Sequence, residues 1–266
     1  MLRNLDLPRI DAGRVLVYYS PGREARARRL LTLVQDAQQY LTQLLRVDVR
    51  VILAVLDRDD WRRSRRAPYG YPHSNPASRT VFAPAEYPAR LYARSRKIFE
   101  TAPPELRARL IANGETLFRQ VATFFDLVLV HEVAHLFIHE RRLELGTQWL
   151  LEFSANYLTY CYLSDCQPGI RYRWDVWAEM QAALPDITYR SLEEFEANRG
   201  RIDFANFSWY QGQFNLKARQ LYEQQGVAFV TRLVEAFALT PDVVLARVDR
   251  LAPSFVGWAE ALAGGE

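Results

Sequence analysis

The segment Asp126 to Glu140, DLVLVHEVAHLFIHE, restricts the fold more than any other part of this chain. It is apolar over the length of a helix. Its hydrophobic residues are spread around the helix rather than confined to one stripe, so burial on nearly every side is expected. Yet it carries His131, Glu132, His135 and His139, and three of the protein's four histidines sit here. Ionisable side chains are costly to bury unless something pairs with them.

The spacing suggests what that partner is. At 100° per residue, His131 and His135 lie about 40° apart around the helix axis and about 6 Å apart along it. Two imidazoles so placed can reach one cation through bonds of about 2 Å. Glu132 falls about 60° from His135, close enough to touch a water beside the cation, which is the general-base position of an H-E-x-x-H motif. His139 lies about 12 Å along the helix from His131. It cannot share the ion with both other histidines and is expected to be structural or partly exposed. A helix whose histidines are satisfied by hydrogen bonds alone is the plainer alternative.

A catalytic zinc site has three protein ligands and an open position for water. Gly146 suits a helix C-terminus and Thr147 the next N-cap, which predicts two antiparallel helices across a short loop. His135 lies about 10 Å before that loop and Glu152 about 7 Å beyond it, so the two can sit at similar heights. Glu152 is flanked by Leu150, Leu151 and Phe153, a setting a solitary carboxylate would avoid. Asn156, one turn later, is placed to hydrogen-bond a ligand histidine. Glu140 and Glu144 are rivals for the third ligand.

HEVAHLF followed by WLLEFSANY resembles the gluzincin metallopeptidases, the group that includes thermolysin and the zinc aminopeptidases. YGYPHSNP and SWYQGQF resemble peptidase-MA-like domains. The resemblance implies that His131, His135 and Glu152 bind one zinc ion (Zn2+) and that Glu132 activates the water. It also implies a Tyr or His that stabilises the oxyanion, with Tyr210 the candidate and His73 the alternative. An acidic residue near a sheet edge captures the substrate amine in the aminopeptidases, and Glu86 is the candidate here.

The remaining sequence sets the frame. RVLVYY (14–19) and DVRVILAVL (48–56) read as strands, with an amphipathic helix over 23–45 between them. Five of the 13 prolines fall in 67–88, a long irregular loop with one extended piece at RTVFA (79–83). Proline-bearing strands belong at sheet edges, so a peptide or protein substrate is expected to pair with this segment, at Val81 and Ala83. From Pro103 the chain reads as mostly helical, with helices near 104–121, 122–142, 148–163, 174–184, 191–199, 209–224, 227–238, 241–250 and 254–263. The fold class is α+β: a small mixed sheet layer in residues 1–100 and a helical zinc-binding body in 101–266, zincin-like.

Length, 49% hydrophobic and 24% charged residues match an ordinary globular protein. A net charge of +3 argues neither for nor against nucleic acid, and no nucleic-acid partner is expected. The one local basic cluster, Arg62 to Arg66 around Ser64, reads as a solvated loop, with a phosphate or nucleic-acid site as the weaker option. Two cysteines make no disulfide framework. MLRNLDLPRIDAGR has no signal-peptide pattern, and no apolar run of about 18 residues lacks a charge, so a cytoplasmic protein with no membrane span is expected. The leading function is a zinc-dependent peptidase. The alternative is a catalytically inactive peptidase-like binding or scaffold protein that retains the metal site.

Overall fold

The computed structural model describes residues 2, 5–64, 68–236, 239–241 and 243–264. It is α+β, with a mixed five-stranded sheet among the described residues. The chain forms two compact units: Met1–Lys97 with Gly114–Arg141, and Ile98–Asn113 with Arg142–Glu266. The expected division near residue 100 therefore shifts. The H-E-x-x-H helix belongs with the sheet and not with the helical body, because its apolar surface is buried there.

The first unit holds strands β1 (Arg9–Ala12), β2 (Val15–Tyr19), β3 (Val51–Leu56), β4 (His73–Asn75) and β5 (Thr80–Pro84), in the order β1-β2-β3-β5-β4. β2, β3 and β5 run parallel; β1 and β4 are antiparallel to their neighbours. Helix α1 (Glu24–Leu45) links β2 to β3. Ala27, Leu30, Leu31, Val34, Ala37, Leu41 and Leu45 are buried along it at helical spacing, as its sequence period predicts. The register aligns Val17 with Leu53 and Leu53 with Val81 on one sheet face, all fully buried. α1 covers β2 and β3, while helix α5 (Leu117–Glu140) lies against β4, β5 and α1. On the opposite face, Tyr18, Ala54, Leu56 and Phe82 pack with Trp61 of the short helix α2 (Arg58–Ser64).

Several expectations change here. The turn at Asp57 to Asp60 opens α2, in which Arg62 and Arg63 pair with Asp59 and Asp60. The basic cluster is thus partly neutralised; Arg65 and Arg66 lie outside the described residues. The proline-rich loop contains β4, and helix α3 (Ala89–Thr101) follows it. Above all, β5 is not the sheet edge. It lies between β3 and β4, so Val81 already has neighbours on both sides, Leu53 and Ser74. Pro84 is tolerated because β4 spans only Thr80 to Phe82. The Ala85 N–H donates to Leu56 in β3, so by alternation the missing Pro84 donor falls on the β4 side, past its end.

The second unit is helical: α4 (Pro104–Ile111), α6 (Gln148–Cys166), α7 (Pro168–Ala182), α8 (Leu192–Asn198), α9 (Phe204–Gln225), α10 (Ala228–Glu235), α11 (Val244–Leu251) and α12 (Phe255–Gly264). The single helix expected over 104–121 is two segments. Gly114 at φ +75° and the Thr116 cap, whose hydroxyl accepts from the Arg119 N–H, end α4 and start α5 early. α9 packs closely on α7 at Gly212, where a Cβ would stand 2.5 Å from the Ala182 nitrogen. Thr147 precedes α6 as expected, but its side chain makes no cap bond. The Glu196 carboxylate accepts instead from the Trp149 N–H at 2.7 Å.

By length and composition α5 is long and apolar enough to cross a membrane, which the charge pattern did not suggest. Most of it is buried within the fold, as in a core helix.

Candidate metal centre

In the first unit, each ionisable group along α5 has its own solution. Asp126 accepts two bonds from the Arg26 guanidinium, at 2.6 and 2.7 Å, and one from the Tyr87 hydroxyl at 2.8 Å. Burial raises the Tyr87 phenol well above its ordinary range, and Asp126 beside it adds to the effect. Glu140 takes a bidentate pair from Arg79, at 2.9 and 3.0 Å, which engages this rival ligand. His139 is exposed.

His131 and His135 stand one turn apart with their Nε2 atoms at hydrogen-bond distance from each other. These atoms are 2.9 Å apart, with the rings nearly perpendicular. Two nitrogens bound tetrahedrally to one ion at about 2.0–2.1 Å would be about 3.3 Å apart, so the pair is close to ligand geometry. Glu132 faces β4, where the Ser74 hydroxyl donates to its Oε2 at 2.7 Å.

His73 is turned the other way. It pairs with Phe82 in the register and stacks on that ring at 5.2 Å, with Trp61 edge-on at 5.1 Å. Its Nδ1 lies 2.9 Å from the Tyr71 carbonyl. Side chains alternate across a strand, so the residue that meets Glu132 is Ser74 and not the histidine before it. Glu86 is paired with Arg23, and its carbonyl accepts from the Tyr69 hydroxyl.

In the second unit, Glu152 lies partly buried on α6. The Gln211 side-chain amide donates to its Oε2 at 2.9 Å. The Gln211 oxygen in turn accepts from Asn156, which is buried, at 2.8 Å. Asn156 therefore supports the carboxylate through Gln211. The other rival, Glu144, has an exposed side chain.

Tyr210 does not fit its expected role. It is fully buried against Phe195 and Trp209, and its hydroxyl donates to the Ser191 carbonyl at 2.8 Å. Burial pushes the phenol above its ordinary pKa. Its neighbour Gln211, 100° further round the helix, is the residue of SWYQGQF that meets Glu152, and sequence reasoning missed it. Ser74 is the second. A strand reading of YPHSNP would have put His73 and Ser74 on opposite faces, but three residues are too few to show the alternation.

The ligand atoms of His131, His135 and Glu152 all lie within 4.8 Å of one another, and the group can hold a metal ion. Comparison with protein-family models, with curated proteins and with solved structures finds no match.

Proposed function

We propose that this chain is a zinc-dependent peptidase with a gluzincin-type centre, in which His131, His135 and Glu152 hold the metal and Glu132 is the general base. The observation that carries the reading is the three-donor group itself, with a carboxylate next to His131 that is not one of its donors. Two imidazole nitrogens and one carboxylate oxygen match the His2Glu donor set of catalytic zinc. Structural zinc sites normally use four protein ligands.

Zinc held by these three residues would supply Lewis acidity to the attacking water. Glu132 takes the proton from the attacking water and returns it to the leaving amine. Gln211 orients Glu152, a support of the kind that tunes ligand carboxylates. The substrate backbone pairs with β4, the terminal strand on this side of the sheet. By alternation from the β3–β5 pairing, His73 and Asn75 turn their backbone groups towards β5, and Ser74 turns its own outwards.

The test is metal analysis combined with hydrolysis of fluorescein-labelled casein. Wild-type protein binds about one equivalent of zinc. Glu132→Gln keeps the zinc and loses about 10²–10⁴-fold in rate. Wild-type rates in that variant would falsify the assigned mechanism.

A further inference from the structure

A glutamate used as a base must be held, because three side-chain torsions separate its carboxylate from the backbone. One hold on Glu132 comes from Ser74, whose hydroxyl donates to Oε2 at 2.7 Å. Such a bond to a charged acceptor is among the stronger kinds. The donor is itself fixed. Ser74 is the middle residue of a three-residue strand bracketed by Pro72 and Pro76. Asn75, which precedes a proline, is extended at φ −127° and ψ 96°, and its side chain accepts from the Ser78 N–H to cap the turn over Pro76–Ser78. His73 is locked on the far face by its stacking on Phe82. With both neighbours anchored, the Ser74 Oγ has a defined place. The same residue directs its backbone N–H and C=O to the outer edge of the sheet.

We propose that Ser74 is a positioning residue of the peptidase reaction: its side chain sets the Glu132 carboxylate while its backbone sets the register of the substrate. This rests on the zinc-peptidase reading. Docking and proton transfer are then linked through one residue, so a peptide seated on β4 meets a base already aimed. Loss of the hydroxyl leaves the ligands and the strand in place but removes this bond from the carboxylate.

The test compares Ser74→Ala with Ser74→Thr. In metal-free, carboxyl-labelled protein, the Glu132 side-chain carbon resonance is assigned by its disappearance in Glu132→Gln. It moves in Ser74→Ala and returns towards its wild-type position in Ser74→Thr. A resonance that does not move overturns the proposal, whether or not the chain cleaves peptides. With zinc and labelled casein, Ser74→Ala lowers kcat about tenfold at unchanged KM and zinc stoichiometry, and Ser74→Thr recovers it. A change confined to KM or zinc binding overturns the proposal, because a merely structural strand residue would act that way. If Ser74→Ala fails to fold, Ser74→Val against Ser74→Thr makes the same comparison in isosteric side chains. A wild-type protein that binds zinc and shows the resonance shift but cleaves nothing overturns the peptidase reading and the catalytic half of this proposal. The hydrogen bond would then stand alone.

Discussion

α5 and α9 are both long, largely buried helices, and they carry polar groups in different ways. On α5 the acidic groups have partners elsewhere in the sheet unit: Asp126 has Arg26 and Tyr87, Glu132 has Ser74, and Glu140 has Arg79. On α9 the partners are mostly neutral. Tyr210 donates to a carbonyl, Gln211 bridges Asn156 and Glu152, and Lys217 donates to the Ser254 hydroxyl at 2.7 Å and carbonyl at 3.0 Å. Lys217 also lies over the Phe255 and Trp258 rings. On the proposed reading, α5 supplies donors and a base from its own side chains, whereas α9 supports a donor on α6 through Gln211.

The largest expected effect concerns the helix that supplies ligands directly. His135→Ala should take zinc from about one equivalent to near zero by elemental analysis; retained stoichiometric zinc would break the comparison at its strongest point. Next comes the ion pair that anchors the same helix. Asp126→Ala leaves the Arg26 charge, which is mostly buried, without its carboxylate and should cost about 3–5 kcal/mol in urea unfolding.

The supporting role of α9 is read from two adjacent residues. Gln211→Leu should weaken zinc binding about 10–100-fold. Tyr210→Phe should leave zinc affinity unchanged and cost about 1 kcal/mol of stability. Equal effects on zinc from the two would show that α9 acts through packing and not through the Gln211 amide.

The remaining effect is a pH dependence. Burial lowers the Lys217 ammonium from 10.5 to about 8, with Asp249 pulling the other way. Below pH 8 the folded and unfolded chains both hold the proton, and the full cost of burying the charge is present. Between about 8 and 10.5 only the unfolded chain holds it, so this group makes the protein more stable as pH rises through that window. Lys217→Met should remove that rise when urea midpoints are compared across the window. An unchanged slope would show that the Ser254 oxygens and the aromatic rings offset the burial.

The parts legible in the sequence were those fixed by local periodicity. The strand–helix–strand start followed from β-branched runs and the 3.6-residue period of α1. The histidine pair and Glu132 followed from helix geometry alone, because their relation is contained within one turn of α5. Glu152 was reached by counting along two helices. The failures were of another kind. β4 is three residues long and framed by prolines, too short to show an alternation, so β5 was taken for the edge. His73 was named as an alternative oxyanion donor for its chemistry and Ser74 was not considered, although strand alternation decides which of the two faces Glu132. Tyr210 was named for the same reason and Gln211 was not considered; the turn of α9 buries the Tyr210 hydroxyl against the Ser191 carbonyl.

Taken alone, the amino-acid order determined which residues could meet a cation and which helix would carry them, because a spacing of four along a helix is a geometric constant. Only the tertiary structure decided what holds those residues in place. The Ser74 hydroxyl and the Gln211 amide reach their carboxylates across 58 and 59 positions of chain. Contacts at that separation depend on strand register and helix rotation, which are set by the burial of whole faces and leave no local trace in the residues themselves.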